Sequence, residues 1–108
     1  MENKVSTIAM KGTQYWGKCP DFTVNGLWYE HEGYDLNKDL SDPKKRKLTF
    51  SNMINRGIKQ SERIIVEECY VNRRFAKRII YDRIHIENQN IEEVYIRTDT
   101  GFELLYKR

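Results

Sequence analysis

Three acidic residues lie close to one predicted turn. Asp21 comes before the dipeptide Asn25-Gly26, and Glu30 and Glu32 follow it. Asn-Gly favours a two-residue type I′ turn, which would place Asp21 directly opposite Glu30 in a hairpin. Because side chains alternate along a strand, Glu32 shares the face of these two acids. The spacing therefore predicts three carboxylates on one face of two neighbouring strands.

Opposed carboxylates of this kind need a compensating partner. Like charges directly opposite each other destabilise a hairpin by about 0.2–1 kcal/mol, so a cation, a proton or a basic side chain is expected nearby. Carboxylate oxygens are the ligands that Mg²⁺ prefers, which makes Asp21, Glu30 and Glu32 candidate ligands for Mg²⁺ or Mn²⁺. Such an ion can activate water for hydrolysis. The alternative is that the acids face solvent on an edge hairpin. His31 falls on the other face, which favours a partly buried histidine over a metal ligand.

Basic and aromatic side chains near these acids suit a nucleic acid. A run of four basic residues could contact a phosphate backbone: Lys44, Lys45, Arg46 and Lys47. Trp28 falls on the face of the acids, where its ring could stack on an unpaired base. The alternatives are a solvated loop for the basic run and core packing for Trp28. A second basic group is equally open to both interpretations: Arg73, Arg74, Lys77 and Arg78.

Hydrophobic spacing predicts the elements that position these residues. The β-prone runs 22–24 and 27–29 on either side of the turn predict the first hairpin. Residues 33–47 contain Gly33 and Pro43 and have no periodicity, which predicts a long surface loop. Apolar residues at helical spacing then predict a helix from Thr49 to about Gln60, with Thr49 or Ser51 as its cap. The run from Arg63 to Cys69 predicts a strand buried on both faces.

The remaining third of the chain predicts a second helix and a second hairpin. Asn72 can cap the helix, whose inward positions are Phe75, Ala76, Ile79, Ile80 and Ile84. Gly101 can supply the positive φ of a three-residue hairpin turn. The order β-β-α-β-α-β-β predicts an α/β (α+β) domain with a small mixed sheet flanked by helices. The helical connection from Ile64 to Val94 favours parallel pairing, with the Ile64–Val66 strand at the centre.

Composition sets the class of protein. The chain has 108 residues, 39% hydrophobic and 32% charged, which predicts a single domain over residues 1–108, with residues 1–18 as a poorly defined N-terminal arm. No run approaches the ~18 apolar residues of a membrane span, so we expect no membrane partner and a cytoplasmic protein. Cys19 and Cys69 have no metal-ligand spacing and are expected to be reduced. The net charge of +3 is too small to indicate a polyanion by itself.

Two stretches of the sequence carry a resemblance to known nucleases. Pro20-Asp21, the short hairpin and Glu30-x-Glu32 resemble the PD-(D/E)xK signature, with Glu32 in place of the usual lysine. The stretch KCPDFTVNGLWYEHEG, followed by a helix ending in IKQSERIIVEE, is similar to the C-terminal tRNA nuclease domain of contact-dependent growth inhibition (CdiA-type) toxins. A pattern close to PDFxIDG, an acid in the next strand, a Lys-Gln-x-x-Arg helix end and an Ile-Val strand occur there in the same order. The resemblance runs from about Lys18 to Lys107.

The resemblance implies a restriction-endonuclease-like fold and a set of site residues. Asp21 and Glu30 match the two metal-binding acids, and Glu32 occupies the third motif position. The family also uses a hydroxyl and a basic residue near the following helix, for which the candidates are Ser51, Arg56 and Lys59. The chain departs from the family in having no clear match for its N-terminal acid and no lysine in the motif.

These observations together predict a metal-dependent nuclease that cleaves tRNA or another structured RNA with Mg²⁺ or Mn²⁺ and no organic cofactor. The resemblance further implies a cytoplasmic site of action, delivery as the C-terminal part of a larger secreted or mobile-element protein, and an immunity protein as partner. Two alternatives stay open. One is a catalytically inactive binding module of the same fold, and the other is a metal-free RNase with a barnase-like (BECR) fold.

Overall fold

A computed structural model describes residues 22–24 and 27–108, without the side chains of residues 22–24 and 28. The predicted arm at residues 1–18 and Asp21 lie outside this part of the chain. Within it, the strands and helices follow one another in the predicted order: β1 (Phe22–Val24), β2 (Leu27–Glu32), α1 (Pro43–Ile58), β3 (Arg63–Glu67), α2 (Arg73–Glu87), β4 (Glu93–Thr98) and β5 (Gly101–Lys107).

The described strands form one mixed sheet in the order β1-β2-β3-β4-β5. The β1–β2 and β4–β5 pairs are antiparallel, whereas β2–β3 and β3–β4 are parallel. Parallel neighbours require a crossover connection, and α1 and α2 supply the two crossovers. The prediction of a mixed sheet with the Ile64–Val66 strand at its centre is therefore confirmed.

Both hairpins have the predicted location. In the first, the backbone pairs are Phe22 with Tyr29, Thr23 with Trp28 and Val24 with Leu27, which is the register expected for a two-residue turn at 25–26. In the second, Gly101 has the predicted positive φ, 151°, but it pairs with Thr98, so that two residues, Asp99 and Thr100, form the connection instead of the predicted three.

The first helix begins earlier than the sequence predicted. The stretch 33–47 was expected to be a loop, but α1 starts at Pro43 and includes the whole basic run. The reason is local, because the Asp42 side chain accepts a hydrogen bond from the Lys44 amide at 2.9 Å and Pro43 occupies the first turn, where its missing N–H costs nothing. A cap at Thr49 or Ser51 is therefore wrong, and Thr49 is buried inside the helix.

The main core lies between the sheet and the two helices, on the side we call the helix face. Ile64 and Val66 of β3 and Val94 and Ile96 of β4 point to this side, where they contact apolar residues of both helices: Phe50, Met53, Ile54, Ile58, Ala76, Ile80 and Ile84. Asn72 caps α2 as predicted, accepting from the amides of Arg74 and Phe75. Neither helix in the described residues has the length and apolar run needed to cross a membrane.

Cys69 follows β3 and is fully buried and free. Its Sγ donates to the Arg46 carbonyl at 3.7 Å, which joins the end of β3 to α1. Burial raises the pKa of this thiol to about 12, and the neighbouring Glu68 carboxylate adds to the increase. The thiol therefore remains protonated at neutral pH.

We expect Cys69 to react slowly with alkylating reagents in the folded protein. The thiolate is the reactive form, and raising the pKa from its ordinary value to about 12 lowers the thiolate fraction at pH 8 by roughly 10²–10³-fold. A Cys19→Ser variant makes Cys69 the single thiol to be measured with iodoacetamide, with and without denaturant. Equal rates in the two conditions would contradict this burial.

Candidate functional site

Two of the three predicted acids lie on the helix face of the sheet. Glu30 and Glu32 pair with Ile64 and Val66 in the parallel β2–β3 ladder, and paired residues of adjacent strands point to the same side. Since Ile64 and Val66 belong to the main core, the two carboxylates lie beside that core, at the flank of α1. Both are only partly exposed. Asp21 lies outside the described residues.

Arg56 of α1 binds the second of these acids. Its Nε donates to Glu32 Oε1 at 2.8 Å, and its Nη2 donates to the Gly33 carbonyl at 2.9 Å. The Glu32 side chain is 12% exposed, whereas Arg56 is about half exposed. The guanidinium therefore fixes the carboxylate from the solvent side. The structure brings together one predicted acid and one predicted basic residue, and it gives the charge of Glu32 a partner.

The other two candidates from α1 have different positions. Lys59 is the C-cap residue, exposed and three residues beyond Arg56, so it lies about 60° away around the helix axis. Ser51 is partly buried and five residues before Arg56, which places it about 140° away. One carboxylate cannot meet both Arg56 and Ser51 across such an angle. Lys59 thus belongs to the Arg56 side of α1, and Ser51 does not.

The predicted phosphate contacts lie on the first turns of α1. Lys45 pairs with Asp39 at 3.3 Å, and Arg46 donates to the carbonyls of Leu40 and Ser41. Lys44 and Lys47 form no ion pair within the described part of the chain. Trp28 lies in β2 and its backbone pairs with Thr23, but its side chain lies outside the described residues.

A divalent cation is compatible with the donor set at this position. Mg²⁺ usually takes one or two protein carboxylates and retains several waters, so Glu30 with one further acid is sufficient. Glu32 is engaged by Arg56, which makes it a weaker candidate ligand. Within residues 22–24 and 27–108 no group of three His, Cys, Asp or Glu residues is arranged to hold a metal. The fit therefore depends on Asp21 as the second carboxylate.

A buried polar cluster lies on the other side of the sheet, which we call the rear face. His31 Nε2 is 2.5 Å from Glu67 Oε2, and Arg97 donates to both oxygens of the same carboxylate at 2.9–3.2 Å. The side chains are 0%, 7% and 9% exposed, respectively. Alternation along β2 places His31 opposite to Glu30 and Glu32, as expected. Sequence reasoning missed Glu67 and Arg97, because only the register of β2, β3 and β4 brings them to His31.

A second group of polar side chains continues along the rear face. Tyr29 and Tyr95 each donate a hydroxyl hydrogen bond to Glu93, at 3.1 and 2.9 Å, and Arg63 lies 3.4 Å from the same carboxylate. Burial and the bond to Glu93 raise the pKa of Tyr29 to about 12, and the bond to Glu93 also raises that of Tyr95. Both phenols therefore remain protonated donors near neutral pH. The Tyr29 and Tyr95 rings meet edge to face, with centroids 6.1 Å apart.

Comparison of the chain with protein-family models, with curated proteins and with solved structures finds no match.

Proposed function

We propose that the domain is a metal-dependent nuclease that cleaves tRNA or another structured RNA beside β2 on the helix face. One observation carries this proposal, namely the register of the first hairpin. In each of the three described β1–β2 pairs, the numbers of the two residues add up to 51. A ladder that continued by one residue in this register would pair Asp21 with Glu30. Two opposed carboxylates of this kind, with Arg56 and Lys59 on the adjacent helix, supply the charges that phosphodiester hydrolysis needs.

The side chains have separate tasks in this proposal. Asp21 and Glu30 would hold Mg²⁺ or Mn²⁺, which supplies positive charge against the phosphoryl oxygens as negative charge develops on them. Arg56 positions Glu32, which would accept a proton as a general base. Lys59, exposed beside Arg56, would stabilise the charge on the phosphate. Ser51 remains a candidate from the resemblance alone.

The partners expected for such a nuclease belong to the same proposal. RNA would be bound in the cytoplasm of the cell in which the domain acts, and an immunity protein would protect the producing cell. Delivery as the C-terminal part of a larger secreted protein is consistent with the CdiA-type resemblance of residues 18–107.

Removal of the metal tests the proposed chemistry. We expect the purified chain to cleave tRNA in Mg²⁺ or Mn²⁺, and we expect excess EDTA to stop the reaction until the metal is restored. Soaking crystals in Mn²⁺ gives a second readout, with anomalous density expected between Asp21 and Glu30. Cleavage that continues unchanged in EDTA would contradict the metal mechanism. A folded chain that binds RNA but cuts no nucleic acid with any of several metals would instead indicate the inactive binding module.

A metal-free RNase is the second candidate, and the rear-face cluster is the observation that favours it. A histidine, a carboxylate and an arginine within hydrogen-bond distance are the groups that acid–base cleavage of RNA requires. The His31 side chain is 0% exposed, however, so a substrate cannot reach it in this conformation. We therefore rank this candidate below the metal-dependent one, and the EDTA experiment separates the two.

A further inference from the structure

The first turns of the two helices meet at one end of the sheet. Both helices connect parallel strands, so both begin at the carboxyl edge of the sheet. Lys47 Nζ lies 5.3 Å from the centre of the Phe75 ring, and the Phe50 and Phe75 rings are 6.4 Å apart. The Cys69 thiol, just before α2, binds the Arg46 carbonyl of α1. These contacts fix the basic start of α1 against the basic start of α2.

Several cations at this end have no acidic partner. Within the described residues, five of them form no ion pair: Lys44 and Lys47 of α1 and Arg74, Lys77 and Arg78 of α2. Spacings of three and four residues place each set along one stripe of its helix. The adjacent Arg73 differs, because Glu68 and Glu103 neutralise it. We call the five cations, together with residues 68–72 between β3 and α2, the two-helix surface. Its uncompensated charge attracts polyanions.

Tyr70 lies between β3 and α2 and has an unusual backbone conformation. Its φ is 63°, in the left-handed region that a bulky side chain rarely adopts. Glu68 holds this conformation by accepting from the Tyr70 amide at 2.8 Å, and Arg73 in turn binds Glu68 at 2.5 Å. The side chain is nevertheless 60% exposed. A strained backbone, fixed by an ion pair, thus presents an aromatic ring to solvent three residues before the basic start of α2, and strained backbones of this kind are typical of functional positions.

We propose that the two-helix surface binds an RNA segment containing an unpaired base, with the Tyr70 ring stacked on that base. The flanking cations would contact the phosphates on either side, as in proteins that bind single-stranded nucleic acids. An unpaired base suits an exposed ring better than a duplex does, because duplex bases are already stacked on one another. This role for Tyr70 rests on the proposed function, which supplies RNA as the ligand.

Binding is measured without cleavage, using a Glu30→Gln background in EDTA and two fluorescein-labelled RNAs. One is a hairpin with an unpaired loop, and the other is a blunt duplex of equal length. Tyr70→Ala is expected to weaken binding of the hairpin about tenfold and to leave the duplex nearly unchanged. Tyr70→Trp keeps a stacking ring and is expected to retain the affinity. Phe102→Ala removes an exposed ring of β5, whose pairing with Arg97 places it on the rear face, and is expected to have no effect.

Two further variants separate stacking from charge and from stability. Glycine adopts a positive φ without strain, so Tyr70→Gly is expected to lose hairpin affinity while its melting temperature is equal to or above that of the parent. Lys77→Ala is expected to weaken the binding of both RNAs. It is also expected to reduce the slope of log affinity against log salt concentration by about 0.7–1. Lys107→Ala, an exposed lysine of β5, is its matched control.

Hairpin affinity unchanged by Tyr70→Ala would overturn the assignment, as would an equal loss for hairpin and duplex. These results are distinguishable from a failure of the proposed nuclease activity. A chain that binds hairpins through Tyr70 but does not cut them would support the two-helix surface and contradict the nuclease activity. A metal-dependent nuclease whose hairpin affinity does not change when Tyr70 is replaced would support the proposed function and contradict the RNA-binding role of this surface.

Discussion

Glu30→Gln is expected to lower the rate of metal-dependent RNA cleavage by about 10²–10³-fold. That range is typical for the loss of one group that stabilises transition-state charge. Glutamine has nearly the same shape, and Glu30 is only partly buried, so the fold is expected to persist. The loss should appear in kcat rather than in KM, because the charge that the metal neutralises develops only in the transition state.

The control for this substitution is Glu62→Gln, which removes a carboxylate of the same type from an exposed position just before β3. Its cleavage rate should equal that of the parent. Circular dichroism of both variants checks that the fold is unchanged. A Glu30→Gln protein that cleaves at the parent rate would contradict the catalytic role of Glu30, whatever the effect of EDTA.

Glu67→Ala is expected to destabilise the protein by about 3–5 kcal/mol, which is the usual cost of removing one partner from a buried ion pair. The carboxylate receives hydrogen bonds from both sides, from Arg97 in β4 and from His31 in β2. Without it, the guanidinium and the imidazole lose the acceptor they share in a site that is almost closed to water. Domains of this size are stable by only about 5–15 kcal/mol, so this loss is a large fraction of the total.

Urea denaturation followed by circular dichroism measures this effect. The matched control is Glu87→Ala, which breaks a partly exposed i,i+4 pair with Arg83 and is expected to cost no more than about 0.5 kcal/mol. Replacing His31, Glu67 and Arg97 together with apolar residues of similar volume should recover much of the stability, because none of the three polar side chains then remains in the site. A loss below about 1 kcal/mol for Glu67→Ala would show that water reaches this cluster.

Local signals in the sequence were sufficient for most of the fold. The Asn25-Gly26 dipeptide predicted the register of the first hairpin, and the pairing of Val24 with Leu27 confirms it. The N-cap of α2 at Asn72 was also predicted from the sequence and is confirmed. The start of α1 was missed although its signal is present, because Asp42 followed by Pro43 is a helix start that the basic run obscured.

The polar clusters could not be predicted in the same way. Glu67 and Arg97 are 30 residues apart, and they meet only because β3 and β4 are parallel with Glu67 directly beside Arg97. A shift of one residue in that register would turn Arg97 to the other face. The hydrogen bond between Arg56 and Glu32 likewise depends on how far along β2 the helix packs. Arg56 was predicted to be a site residue, but the sequence did not indicate that Glu32 is its partner.

The order of the strands in the sheet has a consequence for how the chain reaches its native state. Within the described residues, the spatial order β1-β2-β3-β4-β5 is the same as the order along the chain, so each strand joins the edge formed by the strand before it. No later strand has to insert between two strands that have already paired. The sheet can therefore grow in one direction as the polypeptide is synthesised, with each crossover helix covering it in turn, and refolding is not expected to require the reopening of an assembled edge.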